Sequence, residues 1–372
     1  MSTPITWASP AQPENNVPRL QRVLWDVFSV NETRVREAPD RVVEFRGQIT
    51  QPSQQVHTSI SDRFRELGYT ALLFRDNNVD VIQAVQGIVK PAPTQLWINA
   101  LLLLATIITT LMAGARIAGV TVPLEVFARQ PGLLLRGAPF GLTLMLILGV
   151  HEMGHYLAGR IHKEAVTLPY FIPVPPFGAI PLGTLGAFIQ LRSPIENRRA
   201  LFDIGLAGPI AGLIVAVAAY AYGLSIAEPI RGTYTLGRSI FTQFLIGVIQ
   251  PQALQSGWAL KINPFMLAGW FGLFVTVINL LPVGQLDGGH ILYAVVGRRA
   301  ALVGFLTIGA LLVMGYVLGS TTWLLWGFLG LFFGVRHAPP LDDLTPLDPI
   351  RKLIAIGALI VFVVIFVPIP FG

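Results

Sequence analysis

Long stretches without a single charged side chain dominate this 372-residue sequence after residue 95. Such windows include 97–115, 204–227, 262–286, 300–335 and 353–372. Because a helix rises about 1.5 Å per residue, roughly 20 apolar residues cross a hydrocarbon core of about 30 Å. Charged residues form only 12% of the chain, whereas about a quarter is usual in soluble proteins. The sequence therefore predicts a polytopic α-helical membrane protein.

The first 92 residues have a different composition from the rest. Residues 1–95 hold ten basic and ten acidic residues, and their apolar residues follow short helical and strand-like periods. We expect a small soluble α+β domain over 1–92, with a regulatory or structural role. Its predicted helices cover 20–28 and a segment capped by Ser53 and stopped by Gly68, and its predicted strands cover 42–49, 69–75 and 79–89.

Residues 95–372 are predicted to form the membrane domain, entered through a proline-rich linker at 91–93. About six or seven transmembrane helices are expected, near 97–118, 137–159, 201–224, 264–282, 301–318, 321–335 and 353–366. Between 167 and 191, five prolines forbid a regular helix although the segment is almost uncharged. Such a backbone survives at membrane depth only when it is shielded or lines a cavity, so we expect a re-entrant loop whose tail, 186–191, forms a short strand.

Composition excludes several functions. The chain has no cysteine, which rules out disulfides, a thiol nucleophile and thiolate metal ligands. The first 20 residues lack a basic segment followed by an apolar run, which predicts no cleavable signal peptide. The pI near 9.8 reflects basic residues flanking the spans, and no nucleic-acid partner is expected.

The orientation of the chain in the membrane can be predicted from its basic residues. The predicted inner loops hold ten Lys and Arg residues and the outer loops hold six, which favours a cytosolic N-terminal domain.

The second predicted span ends in the sequence His151-Glu152-Met153-Gly154-His155. At 100° per residue, the two histidines lie one helical turn apart on one face, where both imidazoles can hold one metal ion. Glu152 then flanks the ion without binding it and can accept a proton from water. A chain of this composition contains about 0.003 such motifs by chance. The motif therefore predicts a metal centre with a glutamate base.

A catalytic zinc usually has three protein ligands and one open position. Two downstream acids are candidates for the third ligand. Asp287 follows a helix broken by Pro282 and Gly284, as expected of a carboxylate presented at membrane depth. Asp203 lies close to two arginines at 198 and 199 and is more simply explained as an ion-paired acid at a helix start.

These motifs resemble the site-2 protease family of intramembrane zinc metalloproteases. The His-Glu-x-x-His helix and the signature Asn-x-x-Pro-x-x-x-Leu-Asp-Gly at 279–288 occur in the family's order, and residues 182–190, 202–209 and 268–284 are similar to its plastid and cyanobacterial, EGY-like branch. The resemblance covers about 95–335 and implies a catalytic core near 133–300. It also implies one Zn²⁺ per chain, bound by His151, His155 and Asp287, with Glu152 as the base.

The resemblance further implies that Asn279 hydrogen-bonds the developing oxyanion or the substrate backbone, although packing between helices is an alternative role. Substrates would be single-span transmembrane proteins cleaved within the lipid bilayer, and the expected location is a bacterial cytoplasmic membrane. His290 is a candidate fourth ligand or supporting group. The interval 225–263 is too short for the PDZ domain that many members carry, which leaves regulation to the N-terminal domain, the loops or earlier substrate trimming.

Two functions from other classes remain as alternatives. A metal-ion transporter or channel could use the same two histidines and the aspartate to pass an ion, in which case the glutamate of the motif is one acid among several. An inactive scaffold could bind membrane proteins without cutting them, although the intact glutamate argues against this. Substitution of that glutamate by glutamine separates the possibilities, because a protease keeps zinc and loses cleavage whereas a transporter keeps its flux.

Overall fold

The computed structural model of the chain describes residues 16–36, 42–88, 95–176, 182–232, 236–335 and 337–370. Its N-terminal region is α+β. The elements in chain order are α1 (Val17–Arg22), β1 (Phe28–Arg36), β2 (Val42–Ile49), α2 (Ser53–Glu66), β3 (Tyr69–Asp76) and β4 (Val79–Gln86). The strands form one antiparallel sheet in the order β1-β2-β4-β3, so β3 is an edge strand. The predicted linker at 91–93 lies outside the described residues.

Helices α1 and α2 share a core with the sheet. Apolar residues of both helices, among them Leu20, Val56 and Phe64, pack with Phe45 and Ile82 of the strands, and all five are fully buried. The hairpin turn between β3 and β4 has the sequence Asp76-Asn77-Asn78, and both asparagines there adopt positive φ. This conformation is tolerated by asparagine better than by most residues.

Three local predictions in this region were wrong. The first helix ends at Arg22, and the apolar residues predicted to continue it instead lead through turns into β1, a strand that the sequence patterns did not reveal. Ser53 does not cap α2: Pro52 occupies the N-cap, and the Ser53 hydroxyl is buried against Thr345 at 2.8 Å. A distant hydroxyl has therefore replaced the local backbone amide as its partner.

The membrane region is mostly helical. Its helices are α3 (Leu96–Ile117), α4 (Leu124–Arg129), α5 (Ala138–Ile161), α6 (Arg198–Ser225), α7 (Ile240–Ile249), α8 (Pro264–Asn279), α9 (Asp287–Val296), α10 (Ala300–Val317), α11 (Thr321–Phe333) and α12 (Pro349–Ile365). Within the described ranges, four helical stretches are long and apolar enough to cross a bilayer: Leu96–Ile117, Pro131–Ile161, Arg198–Ser225 and Asp287–Val317.

Helix α8 is shorter than predicted because it ends at the start of the second motif. Its 16 residues reach about 24 Å, and Pro282 together with Gly284, whose φ is 50°, keeps the following segment irregular until α9 begins. A cluster of buried apolar residues from α6, α8, α10 and α11 surrounds Trp270 and Trp323. Helices α5, α6 and α8 thus form the packed centre of the membrane region.

The proline-rich segment is not helical in its described parts, as predicted. It contains β5 (Tyr170–Pro173) and β6 (Thr184–Phe188), which pair as an antiparallel ribbon. The strand predicted at 186–191 therefore begins two residues earlier and ends three residues earlier than expected. Asn99 of α3 donates its amide to the carbonyls of residues 168 and 169, which ties the ribbon to the first membrane helix. A second short ribbon, β7 (Pro229–Arg231) with β8 (Trp258–Leu260), lies between α6 and α8.

Candidate metal centre

Helix α5 carries both histidines of the first motif on one buried face. His151 is 4% exposed and His155 is 6% exposed, and their Nε2 atoms lie 3.1 Å apart. The helical spacing predicted this arrangement, since residues four positions apart are neighbours on one face. Two buried ring nitrogens therefore point to a common space beside the second half of the helix.

Asp287 completes the cluster from α9. Its Oδ2 atom lies 3.3 Å from the Nε2 atom of His151 and 3.3 Å from that of His155. Zinc bonds of about 2.0–2.1 Å in tetrahedral geometry place neighbouring donor atoms about 3.3–3.4 Å apart. The three donor atoms therefore have the spacing of three ligands around one zinc ion. Among the described residues, this is the one group of three such side chains able to hold a metal.

The broken helix before Asp287 depends on glycine. A Cβ added to Gly288 would lie 2.1 Å from the carbonyl oxygen of Leu280, and one added to Gly289 would lie 2.3 Å from that of Gly284. Any larger residue at these positions would force the turn away from α9. The two glycines thus let the chain fold back closely enough to bring the aspartate to the histidines.

Helix α6 supports the histidines from the opposite side. The Nδ1 atom of His155 lies 2.7 Å from the carbonyl oxygen of Ile204, so Nδ1 carries the proton and Nε2 keeps its lone pair for a metal. Gly208 and Gly212 face the two histidine rings, because added Cβ atoms would lie 2.1 Å from the Nε2 atom of His155 and 2.9 Å from the Cβ atom of His151. Sequence reasoning missed these supports.

Two further predicted residues lie beside the cluster. Glu152 is 6% exposed, and the backbone amide of Ile189, just beyond β6, lies near its carboxylate. The side-chain amide of Asn279, at the end of α8, lies 3.1 Å from the Nε2 atom of His151. The structure thus brings together all five residues that the motifs singled out, drawn from α5, α8 and α9.

Other candidate residues have different partners. Asp203 pairs with Arg351 of α12 and with His162, 2.8 Å away, instead of the neighbouring arginines named in the sequence prediction. His290 contacts His337 through Nδ1 and Nε2 and does not share the three-residue cluster. The partners of His162 and His337 lie 41 and 47 positions away in the sequence, so no local pattern reveals these contacts.

A buried cluster of two histidines and one aspartate beside a glutamate, in a protein with four apolar helices of membrane length, is the arrangement expected of a membrane-embedded metallopeptidase. Comparison with known proteins makes this more specific. Residues 139–316 match the family described as Peptidase family M50. The chain belongs to this family, the site-2 proteases, and is EGY-like. Zinc is the metal that the family implies, and the cluster fits it.

The curated relatives are plant proteins. A protein of Oryza sativa subsp. japonica described as probable zinc metalloprotease EGY1, chloroplastic, is 30% identical over 75% of this chain and 52% of its own. EGY1 of Arabidopsis thaliana is 34% identical over 62% of this chain and 43% of its own length. EGY2 of the same plant is 30% identical over 64% of this chain and 43% of its own length. The chain thus spans about half the length of these relatives. No solved structure matches.

These relatives bear on two predictions. They favour the peptidase over the transporter and the scaffold, because the three described above carry names of zinc metalloproteases. They do not support the predicted bacterial cytoplasmic membrane, because the same proteins are described as chloroplastic. The coarser prediction of an integral membrane protein agrees with the family and with the four long apolar helices.

Proposed function

We propose that this protein is an intramembrane zinc metalloprotease that hydrolyses peptide bonds of transmembrane substrates. The observation that carries the proposal is the spacing of 3.1–3.3 Å among the donor atoms of His151, His155 and Asp287, with a buried glutamate adjoining them. Two histidines, one carboxylate and an open position form the ligand set of many hydrolytic zinc sites. The zinc, when bound, supplies a Lewis acid that activates water and polarises a carbonyl.

The residues of the chain then have separate tasks. Glu152 accepts the proton of the attacking water and delivers it to the leaving amine, as a general base and then a general acid. The backbone amide of Ile189 faces this carboxylate. Asn279, whose amide lies next to His151, donates to the oxygen that gains negative charge or to the substrate backbone. Ile204 fixes the ring of His155 through its carbonyl oxygen.

Substrates in this proposal are single-span transmembrane proteins. A substrate helix satisfies its own amides, so it must unwind before hydrolysis, and an extended segment needs a partner. We infer that it pairs with the free edge of β6 around 187–191. The direction of the Ile189 amide supports this edge, because an amide that reaches Glu152 points away from β5. The outward backbone groups of Ala187 and Ile189 therefore face the active site.

Proline substitutions test this edge. Ile189→Pro should abolish cleavage while zinc content stays at one ion per chain, but it also removes the amide that contacts Glu152. Ala187→Pro removes an outward amide without that second effect and should give the same loss. Wild-type cleavage by both variants would refute strand pairing at β6.

The proposed topology has six or seven crossings, with a domain at 1–92, a membrane domain at 95–372 and a catalytic core near 133–300. Beyond the four long helical stretches, α8, α11 and the 17-residue α12 are apolar and supply the additional crossings. The excess of basic residues on the predicted inner loops supports an N-terminal domain on the cytosolic side, or on the equivalent side of an organelle membrane.

The decisive experiment compares membrane proteomes from cells that express the wild-type protein or Glu152→Gln. Loss of the base should leave zinc content unchanged and should cause single-span protein fragments to accumulate. Glu125→Gln serves as the control, because this acid lies in the first turn of α4, away from the cluster. Identical proteomes for the wild type and Glu152→Gln, in cells where the protein holds zinc, would refute proteolysis.

A further inference from the structure

A short segment between α11 and α12 joins the N-terminal sheet to the membrane region. We name residues 341–346 the strap. On one side, the backbone amide of Leu73 in β3 donates to the carbonyl of Leu341 at 2.7 Å, and the amide of Asp343 donates to the carbonyl of Leu73 at 2.8 Å. On the other side, the amides of Leu341 and Asp342 donate to the carbonyls of residues 195 and 196, at 2.9 and 2.8 Å. The strap thus extends the edge of the N-terminal sheet as far as the start of α6.

Side chains strengthen the contact with the N-terminal region. The hydroxyl of Thr345 lies 2.8 Å from that of Ser53 at the start of α2, and both residues are buried. Leu344 packs against the apolar core of the N-terminal sheet. Arg298, at the end of α9, lies over the ring of Phe74 at 5.0 Å. The N-terminal region is therefore held by backbone, hydroxyl and apolar contacts.

Asp343 connects the strap to two helices of the metal centre. It is 6% exposed, and its carboxylate accepts from Nε of Arg198 at 2.8 Å and from the hydroxyl of Tyr293 at 3.2 Å. Arg198 begins α6, and Tyr293 lies on α9. A buried carboxylate with one partner on each helix fixes the two helices relative to each other.

The segment before the strap adds support to α9. The ring of His337 stacks on that of Tyr293, with centroids 4.7 Å apart, and contacts His290 one turn closer to the metal ligand. Tyr293 is six positions from Asp287, about 9 Å along the helix. On α6, Ile204 and Gly208 touch His155. Movement of α9 against α6 would therefore separate the aspartate from the two histidines.

We propose that the strap couples the N-terminal region to the metal centre, and that Asp343 is the positioning residue that keeps Asp287 in place. This inference rests on the proposed function, because it assigns a regulator to the same site. A signal that loosens the N-terminal region from the strap releases α9 and lowers turnover. A merely structural strap would change the unfolding temperature and leave metal affinity and kcat unchanged.

The first test uses the full-length protein in detergent. Asp343→Asn keeps the size of the side chain and removes its charge. We expect zinc affinity, measured by competition with a chromogenic chelator, to fall about tenfold, as for other supports around metal ligands. We expect kcat to fall by a similar factor while KM stays within about twofold, and the visible spectrum of the cobalt-substituted protein to shift because the ligand geometry changes.

Two further variants make this test independent of folding defects. Tyr293→Phe removes one hydroxyl and should reproduce part of the loss of zinc affinity and kcat. The losses in the two single variants should not add up in the double variant, because both residues act through the same contact. Asp26→Asn is the matched control, because its ion pair with Arg63, 2.6 Å long, lies within the N-terminal region and away from the strap. The proposal would be overturned if Tyr293→Phe and Asp343→Asn both had the same zinc affinity, cobalt spectrum and kcat as the wild type.

The second test locks the contact with the N-terminal region. Because the chain has no cysteine, Ser53→Cys with Thr345→Cys introduces a single thiol pair at a side-chain contact of 2.8 Å. We expect the two thiols to form a disulfide after mild oxidation. The disulfide-linked protein should cleave its substrate at least twofold faster than the same protein after reduction of the disulfide with a phosphine. Equal rates in the two states, or no cross-link, would overturn the coupling. A wild-type protein that neither binds zinc nor cleaves overturns the proposed function itself, whatever the strap variants do.

Discussion

Gly208 offers the sharpest test of the metal centre, because a single methyl group there competes with the ion. The Cβ atom of Gly208→Ala would lie 2.1 Å from Nε2 of His155 and 2.4 Å from its Cδ2. Non-bonded contacts of this kind normally need about 3.5 Å, so the ring must move by more than 1 Å. Metal–ligand distances tolerate about 0.2 Å. We therefore expect zinc affinity to fall at least 100-fold, the upper end of losses known for displaced supports.

The same substitution should leave the fold largely intact. The imidazole is the end of a side chain and can turn away, so overpacking should cost about 1–3 kcal/mol, partly offset by the better helix propensity of alanine. Zinc content after purification, chelator competition and thermal unfolding measure the two effects separately. Gly309→Ala is the control, because a Cβ there meets nothing within 4 Å. One tightly bound zinc per Gly208→Ala chain would refute the proposed position of the ion.

Three other predictions concern groups around the site and in the N-terminal region. Asn279→Ala should lower kcat about 100-fold with zinc content retained, as expected for a lost oxyanion donor, and an unchanged kcat would assign the residue to packing. Burial lowers the pKa of His57 below 6.5, with the charges of Asp342 and Glu196 partly opposing the shift. Since the unfolded chain then binds the proton more readily, stability should decrease as pH falls below about 6.5, and His57→Gln should flatten the unfolding temperature between pH 7.5 and 5.5. Chelator treatment should stop cleavage and lower the unfolding temperature, with both restored by zinc, because a ligand that binds only the folded state stabilises it.

The two histidines and the glutamate could be predicted from sequence because one helix contains all three. Helical periodicity alone places His151 and His155 on one face. Asp287 and Asn279 could not be placed in that way, since Asn279 lies 128 positions from His151 and the contact depends on how α8 breaks and α9 packs. The family signature supplied what local geometry could not.

The supports of the site left weaker signals. The carbonyl of Ile204 is a backbone atom that every residue carries, so no sequence pattern reveals its contact with His155. Gly205, Gly208 and Gly212 did leave a signal, because spacings of three and four place them on one face of α6. That spacing is typical of a surface for close helix packing, and the structure shows that α5 and α9 are the helices that approach α6 there.

The acids of the membrane region separate into two kinds according to their partners. Asp203 and Asp343 pair with arginines, and Asp342 accepts from the backbone amides of residues 344 and 345, so each of these charges is compensated by the fold. Asp287 differs, because its ion-pair partners among the described residues are two imidazoles. One of these, His155, donates its Nδ1 proton to a carbonyl and presents Nε2 to the cluster. When a metal ion occupies the Nε2 lone pairs, both rings are neutral and the ion alone compensates the charge of the aspartate.

A buried carboxylate without a cation is costly, and Glu152 adds a second negative charge beside it. A single Zn²⁺ among the three donor atoms balances both charges. An arginine side chain in its place would block the open fourth position where the reaction takes place. With both rings neutral, the charge balance therefore favours a divalent ion. It also predicts that a variant which neutralises Asp287, such as Asp287→Asn, loses zinc yet unfolds at a higher temperature than the zinc-free wild type. A lower unfolding temperature for Asp287→Asn than for the zinc-free wild type would contradict this account of the charges.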